Sequence, residues 1–267
     1  YRPAWEAFRL AGARIVPVPV DSEGLDVEAL RRLLAKQRLR ALYVTPHHQF
    51  PTTVTLTPAR RAELLRLAEQ ERFAVIEDDY DHEFHYGGPP VLPLASADTT
   101  GTVIYVGTLS KVIAPGLRLG FVVAPADLIA SLAAYRTFLD LEGDAALECA
   151  LAELLSDGLI QRHVRKVRRV YQKRRDTLAL ALRREVNEKV SFVTPTGGTA
   201  IWVTAQNAAA MDRWGTRAQA HGVHFDYGSS FTLGARRSDR LADIAPGAFG
   251  HALDVTKPAS VAKFVAA

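Results

Sequence analysis

The sequence has almost no cysteine and no long apolar run. Its 267 residues include a single cysteine, Cys149, which excludes a disulfide framework and a cysteine-ligated zinc site. No apolar stretch approaches the roughly 20 residues that a membrane-spanning helix needs, and residues 1–3 show no signal-peptide pattern. These absences predict a protein of the reducing cytoplasm, with no membrane among its partners.

Glycine and proline are also scarce. The chain has 18 Gly and 14 Pro, with 48% hydrophobic and 23% charged residues. This composition is typical of globular proteins and excludes collagen-like repeats, low complexity and disorder. A chain of this length buries enough surface to fold without covalent staples.

Positive charge is not spread over the whole chain either. The net charge is +4, yet residues 160–184 alone contain ten Lys or Arg and one acid. The remainder is therefore acidic, which excludes the distributed positive surface of a protein that wraps nucleic acid. Ile160, Val164 and Val167 recur at helical spacing, which indicates a helix with one packed and one solvated face. A contact of this helix with a DNA backbone is the alternative.

Short apolar runs alternate with helical patterns in the first half of the chain. Strands are predicted at residues 13–18, 41–44, 73–76, 102–106 and 119–123. Helices are predicted between them at residues 3–10, 26–36 and 57–70. This alternation predicts an α/β fold, with a three-layer and mostly parallel sheet.

The second half begins with long helical stretches, up to residue 157 and from 160 to about 185. A smaller α/β unit is predicted after them, with strands near residues 191–193, 200–203 and 223–225, a helix near 209–221 and a last helix after 258. We therefore predict a large domain at residues 1–157 and a small C-terminal domain at 158–267.

Polar clusters directly follow three of the predicted strands, at residues 45–52, 78–81 and 108–111. Ligands collect at the carboxyl ends of parallel strands, so the three clusters predict one site. In the last cluster Lys111 is flanked by Thr108 and Ser110, and Arg118 follows. A lysine with a lowered pKa forms a Schiff base with an aldehyde, and hydroxyl and guanidinium groups hold phosphate. A loop lysine with a surface arginine is the plainer interpretation.

Asp78 and Tyr80 precede Lys111 by 33 and 31 positions. A pyridoxal cofactor needs a carboxylate at its ring nitrogen and gains from a phenol at its ring oxygen. The alternatives are a solvated loop, or a divalent metal site, since carboxylates and histidines crowd residues 78–85 and His47 and His48 lie elsewhere. Ligands so close in sequence rarely converge on one ion, and no metal site is predicted.

Residues 44–52, 76–84 and 105–111 together resemble the fold-type-I aminotransferase-like domain of MocR-type regulators. These are GntR-family transcription factors with an N-terminal winged helix-turn-helix and a C-terminal pyridoxal-phosphate domain. The resemblance extends over nearly the whole chain. The runs at residues 48–52 and 77–81 favour the regulators over free-standing aminotransferases.

The resemblance implies a site for pyridoxal 5'-phosphate. Lys111 corresponds to the lysine that carries the cofactor, Asp78 to the partner of the ring nitrogen, and Tyr80 to the phenol at the ring oxygen. The residues implied as phosphate ligands are Thr108, Ser110 and Arg118. From the loop at residues 45–52, either His48 or Gln49 is implied on the other side of the ring oxygen.

The implied function is effector sensing, in which an amine or amino acid forms an aldimine with the cofactor. The implied assembly is a homodimer that contacts DNA only through an N-terminal domain not contained in this chain. A true aminotransferase acting on amino acids is the alternative, and a metal-dependent hydrolase is a third class.

Two departures from the family pattern predict weak cofactor binding and no efficient turnover. The family's glycine-rich phosphate segment, which lies upstream, is not found before Tyr1, so we expect an N-terminally truncated domain. Residues 244–251 contain no arginine where family members carry one for a substrate carboxylate. Arg236, Arg237 and Arg240 lie near this stretch.

Overall fold

A computed structural model describes residues 1–88, 91–139, 143–186, 189–205, 208–231 and 250–254. The helices of these ranges are α1 (Arg2–Leu10), α2 (Val27–Leu34), α3 (Pro58–Glu71), α4 (Ala126–Leu139), α5 (Ala145–Ser156), α6 (Leu159–Val186) and α7 (Ala208–Ala220). The strands are β1 (Val20–Asp21), β2 (Gly24–Leu25), β3 (Ala41–Val44), β4 (Ala74–Asp79), β5 (Val103–Thr108), β6 (Gly120–Val123), β7 (Val190–Phe192), β8 (Ala200–Ala205), β9 (Asp226–Tyr227) and β10 (Gly250–Asp254).

The first large sheet has the strand order β3-β4-β5-β6. Its first three strands run parallel and β6 pairs antiparallel with β5. Helix α3 connects β3 to β4, as a parallel crossover requires. The predicted α/β class with a mostly parallel sheet is confirmed.

The core of this unit lies on one face of the sheet. Alternate residues of β4 are buried, beginning with Val75. Val75 packs with Leu42 and Val44 of β3 against Leu30 of α2 and Leu64 of α3. Successive side chains of a strand point to opposite faces, so the remaining residues of β4 lie on the other, half-buried face.

Strand β4 continues further than its sequence predicted. The apolar run was expected to end at Ile76, but the strand includes Glu77, Asp78 and Asp79. Glu77 is completely buried and accepts hydrogen bonds from the backbone N–H groups of Leu94 (2.7 Å) and Ala95 (3.0 Å). Burial raises the pKa of Glu77, and these two donors oppose that rise. A strand tolerates buried carboxylates where hydrogen-bond donors meet them.

The second large sheet is antiparallel, in the order β7-β8-β10-β9. Its core joins Ile201 and Val203 of β8 to Leu178 and Leu182 of the long helix α6. The first turn of the same helix packs elsewhere, since Ile160 contacts Val112 of the loop after β5. The domain boundary at residues 157–158 stays a prediction.

Two predicted strands are wrong. Residues 13–18 form no regular element, and a short hairpin of β1 and β2 follows them instead. The strand expected at residues 223–225 lies at Asp226–Tyr227. The last predicted helix, after residue 258, falls outside the described residues. In the described part of the chain, each helix is too short or too polar to cross a membrane.

Candidate functional site

The carboxyl ends of β3, β4 and β5 meet at one edge of the parallel sheet. The register pairs Val44 with Glu77, Asp78 with Val106, and Asp79 with Gly107. The three polar clusters expected from the sequence, at residues 45–52, 78–81 and 108–111, therefore lie at this same edge. Such an edge is where open α/β sheets bind ligands.

Asp78 lies on the half-buried face of the sheet. Tyr43 of the neighbouring strand β3 occupies the same face and donates a hydrogen bond to the Asp78 carboxylate. Burial raises the pKa of Asp78, and the Tyr43 hydroxyl offsets part of that rise. No Lys, Arg or His side chain within the described ranges forms an ion pair with Asp78, so this carboxylate gains from a cation brought by a ligand.

Asp79 lies on the opposite, core-facing side of β4. Its Oδ2 atom accepts a hydrogen bond from the Tyr105 hydroxyl at 2.9 Å and lies 3.1 Å from Nδ1 of His47 and 3.3 Å from Nδ1 of His82. Burial alone would raise the pKa of Asp79, but the two imidazoles bring the pKa below its ordinary value. Two successive carboxylates of one strand thus have opposite electrostatic surroundings.

Lys111 lies in the turn that follows β5. The hydroxyl of Thr108 accepts the backbone N–H of Ser110 at 3.1 Å and so shapes the start of this turn. The next residue, Val112, is buried among Leu151 and Ile160. Because the turn is anchored on both sides of it, Lys111 is left exposed at the edge of the sheet.

Arg118 adopts a left-handed backbone conformation, with φ of 52°. Such a conformation is uncommon in residues other than glycine, and where it occurs it often marks a functional segment. Arg118 precedes β6, which approaches β5 closely. A Cβ atom on Gly107 would lie 2.4 Å from the Phe121 ring, and one on Gly120 would lie 2.8 Å from the Gly107 carbonyl oxygen. The two glycines let β6 and its leading arginine approach the loop that carries Lys111.

The loop after β3 is tied to the segment after β4. Nδ1 of His48 lies 2.8 Å from Oδ1 of Asp81, and both side chains are buried. Tyr80 donates its hydroxyl to the His48 carbonyl oxygen at 3.0 Å. Burial, with the Asp78 and Asp81 carboxylates, raises the pKa of Tyr80 well above its ordinary value, so the phenol remains a donor. The Gln49 amide lies 3.4 Å from the Phe50 carbonyl oxygen.

The His48–Asp81 pair also contacts the turn before β8. A Cβ atom on Gly197 would lie 2.4 Å from Nε2 of His48, and one on Gly198 would lie 2.9 Å from Oδ2 of Asp81. Tyr86 strengthens this junction, since its hydroxyl donates to the Gly198 carbonyl oxygen at 2.7 Å. The edge of the first sheet is therefore in direct contact with the unit that contains the second sheet.

The structure gathers the predicted residues on three neighbouring segments. These are the loop after β3 with His48 and Gln49, the end of β4 with Asp78 and Tyr80, and the turn after β5. Residues 236, 237, 240 and 244–249, which concern the expected missing arginine, lie outside the described residues. Sequence reasoning missed Tyr43 and Tyr105. Each is a polar side chain inside an apolar strand, and such a residue needs a polar partner on a neighbouring strand.

These residues fit pyridoxal phosphate by the chemistry of their donors and acceptors. Asp78 is a half-buried carboxylate without a basic side chain beside it, which suits a protonated ring nitrogen. Lys111 is an exposed amine on the adjoining segment, and hydroxyls and a guanidinium accompany it as phosphate ligands require.

A family model described as "Aminotransferase class I and II" matches residues 1–242. The 2-aminoadipate transaminase of Thermus thermophilus is 35% identical over 235 residues, which cover 86% of this chain and 59% of that protein. The probable rhizopine catabolism regulatory protein MocR of Rhizobium meliloti is 30% identical over 225 residues, which cover 84% of this chain and 45% of that protein.

The crystal structure of a kynurenine aminotransferase from Pyrococcus horikoshii, in complex with PMP, superposes with a TM-score of 0.88 at 30% identity. The match covers 100% of this chain and 64% of that chain. The chain spans about half the length of the two curated relatives, 59% of one and 45% of the other.

Proposed function

The chain belongs to the class I and II aminotransferase family, and from this premise we propose that it is the effector-sensing part of a MocR-type transcriptional regulator. Its cofactor is pyridoxal phosphate, which the family and the PMP-bound neighbour indicate. The proposed effector is an amine or amino acid. The proposed assembly is a homodimer that contacts DNA through a winged-helix domain outside this chain.

The contact between His48 and Asp81 carries the proposal. The runs at residues 48–52 and 77–81 are the ones that favour the regulators over free-standing aminotransferases. In the structure His48 from the first run and Asp81 from the second form a buried pair at 2.8 Å. This pair abuts Gly197 and Gly198. A change at the cofactor edge thus has a direct path to the unit of the second sheet, which is what a sensor needs.

The proposal gives each residue of the edge a role. When bound, pyridoxal phosphate supplies an aldehyde that condenses with amines and a ring that withdraws electrons. Asp78 holds the proton on the ring nitrogen, and Tyr43 orients the Asp78 carboxylate. Lys111 provides the amine that an effector amine replaces. The remaining roles are those of Tyr80 and of His48 or Gln49 at the ring oxygen, and of the phosphate ligands Thr108, Ser110 and Arg118.

An amino-acid aminotransferase is the second candidate. It is favoured by the 2-aminoadipate transaminase, which at 35% is slightly more identical to this chain than the MocR protein at 30%. Here Lys111 would, in addition, move a proton at the substrate Cα atom. The two candidates share every cofactor-binding residue, and within this chain turnover is the property that distinguishes them.

The test is a titration of the purified chain with amino acids and amines, in excess pyridoxal phosphate, with and without a keto acid. We expect a saturable change in the cofactor absorption spectrum and no consumption of the keto acid. Lys111→Ala is the matched control, because its cofactor should lack the absorption of the lysine-bound form before any amine is added, and a mixture of pyridoxal phosphate and amine without the chain gives the background. Sustained conversion of the keto acid would establish the aminotransferase, and an unchanged spectrum with every amine would refute effector sensing.

A further inference from the structure

A cluster of two histidines and one carboxylate lies on the core-facing side of β4, away from the face of Asp78. His47 follows β3, Asp79 is the last residue of β4, and His82 lies in the next turn. One ligand atom from each lies within 4.8 Å of the others. From the sequence we did not expect these side chains to converge on one ion, since Asp79 and His82 are only three positions apart. The third ligand comes from the end of the adjacent strand, which only the fold brings close.

Three buried atoms of the cluster lack hydrogen bonds. Nδ1 of His47, Nδ1 of His82 and Oδ1 of Asp79 are all buried, and none of them has a hydrogen-bond partner. The side chains of His47 and Asp79 are 5% and 0% exposed. The two Nδ1 atoms lie close to Oδ2 of Asp79 without the alignment of a hydrogen bond. Buried polar atoms left in this way are costly, and a bound ion is one of the arrangements that satisfies them.

Hydrogen bonds from other protein groups orient His47 and Asp79. Nε2 of His47 lies 2.5 Å from the Val91 carbonyl oxygen, which can only accept, so Nε2 donates its proton there and Nδ1 is the ring nitrogen beside Asp79. Tyr105 donates to Oδ2 of Asp79 at 2.9 Å. Metal-binding histidines usually donate their second nitrogen to a carbonyl or carboxylate in this manner, and metal-binding carboxylates are themselves hydrogen-bonded.

The spacing also suits a small ion. Zinc bonds of about 2.0–2.1 Å in a tetrahedron place neighbouring ligand atoms about 3.3 Å apart. The Nδ1 atoms of His47 and His82 lie 3.1 Å and 3.3 Å from Oδ2 of Asp79, the carboxylate oxygen that the Tyr105 hydroxyl also contacts. The His82 side chain is 37% exposed, although its Nδ1 atom is buried, so solvent reaches the far side of this ring, and we take water as the fourth ligand.

We propose that His47, Asp79 and His82 bind a divalent transition-metal ion of the zinc type. The ion fastens the loop after β3 to the turn after β4. Both segments carry residues of the cofactor edge, His48 on one and Tyr80 on the other. The ion therefore stabilises that edge, and its binding needs neither cofactor nor effector.

The test is calorimetric titration of the full chain, free of any affinity tag and of cofactor, with Zn²⁺ after treatment with a chelator. We expect one ion per chain and a rise in Tm on binding. Loss of an outer hydrogen-bond partner typically costs a metal site 10- to 100-fold in affinity, so His82→Ala should weaken binding by at least about 100-fold. The exposed His224 lies in the other unit, and His224→Ala should bind Zn²⁺ like the parent chain.

A second measurement needs no variant. Co²⁺ added to the chelator-treated chain should give the intense visible absorption of a four-coordinate site, and equimolar Zn²⁺ should abolish it. The proposal is overturned if the parent chain binds no stoichiometric ion, if His82→Ala binds Zn²⁺ as tightly as the parent, or if Co²⁺ shows only the weak absorption of a six-coordinate ion.

Discussion

Asp78 and Asp79 are adjacent in one strand, and their surroundings are opposite. Asp78 lies on the half-buried face, takes one hydrogen bond from Tyr43, and has its pKa raised by burial. Asp79 lies on the core face, takes one hydrogen bond from Tyr105, and has its pKa lowered by His47 and His82 in spite of burial. Each carboxylate thus has a tyrosine from a neighbouring strand; among the described residues Asp79 has two imidazoles beside it, whereas the positive charge that acts on Asp78 is that of the Tyr1 α-ammonium group.

The difference shows how one strand separates stability from binding. Asp79, flanked by two imidazoles and a tyrosine hydroxyl, contributes to the fold through these groups and through the ion proposed for them, and none of these contacts involves the pyridoxal cofactor. An unpaired and partly desolvated carboxylate costs stability until a cation arrives. We therefore assign Asp79 to holding the edge of the sheet together and Asp78 to binding the cofactor. Four predictions test this assignment.

The largest expected effect is on folding stability at Asp79. Removing one partner from a buried charged cluster costs about 3–5 kcal/mol, because the other groups stay buried and unpaired. Asp79→Ala should therefore lower the free energy of unfolding by about that amount, measured by urea denaturation with a chelator present. Asp78→Ala should change it by less than about 1 kcal/mol, since the lost Tyr43 hydrogen bond is offset by removal of a buried carboxylate. Equal losses of unfolding free energy in the two variants would contradict the different roles assigned to Asp78 and Asp79.

The next effect is on cofactor affinity at Asp78. Asp78→Asn removes the charge that pairs with the ring nitrogen, and hydrogen bonds to charged groups are worth about 1.5–3 kcal/mol. We expect pyridoxal phosphate to bind about 10- to 150-fold more weakly, measured by absorbance titration. Asp79→Asn is the matched control on the other face, and its folded fraction should keep the parent affinity. The opposite ranking of the two variants would assign the ring nitrogen to Asp79.

A smaller effect separates the two tyrosines. Tyr43→Phe removes the hydroxyl that orients Asp78 and should weaken the cofactor by about 0.5–1.5 kcal/mol. Tyr105→Phe removes the equivalent hydroxyl from Asp79 and should lower the free energy of unfolding by a similar amount. Both variants are measured in both assays. A cofactor effect from Tyr105→Phe as large as that from Tyr43→Phe would contradict the division between the faces.

The smallest effect on stability is expected at Glu63, an exposed carboxylate. Its comparison with Asp79 shows how much burial adds to the cost of losing a charge. The Arg66 and Arg31 side chains lower the pKa of Glu63 from 4.5 to about 2. A depressed folded pKa stabilises the native state above pH 4.5, and this contribution is lost as the pH falls towards 2. Glu63→Gln should cost less than about 1 kcal/mol near neutral pH, and less still in high salt. The difference from the parent chain should shrink below pH 4.5, and a salt-independent loss of several kcal/mol would contradict this.

The strands that carry the site were predictable from composition and period. Residues 41–44 and 102–106 are apolar and β-rich, and both are strands in the structure. The placement of the polar clusters at one edge followed from the parallel order alone. Strand β4 was predicted too short, because three acidic residues look like a loop until their donors, such as the Leu94 N–H group, are known.

The sequence predicts part of the difference between Asp78 and Asp79, but not which of them faces the core or which residues contact them. A period of two places successive residues on opposite faces once β4 is known to include them. Which face would be the core depends on α2 and α3, and the partners come from elsewhere in the chain: Tyr43 and Tyr105 from other strands and His47 from the loop after β3. Pair contacts between strands require the register, and a single sequence does not give it.

The residue to which the cofactor attaches decides whether Asp78 and Lys111 belong to one site. The chain is incubated with pyridoxal phosphate, reduced with borohydride, digested, and mapped by mass spectrometry. The account predicts the reduced phosphopyridoxyl group on Lys111, with Lys111→Ala unlabelled and still folded. A label on another lysine, such as Lys166 or Lys189, would contradict the account, because Asp78 would then face no cofactor at the carboxyl edge of the sheet.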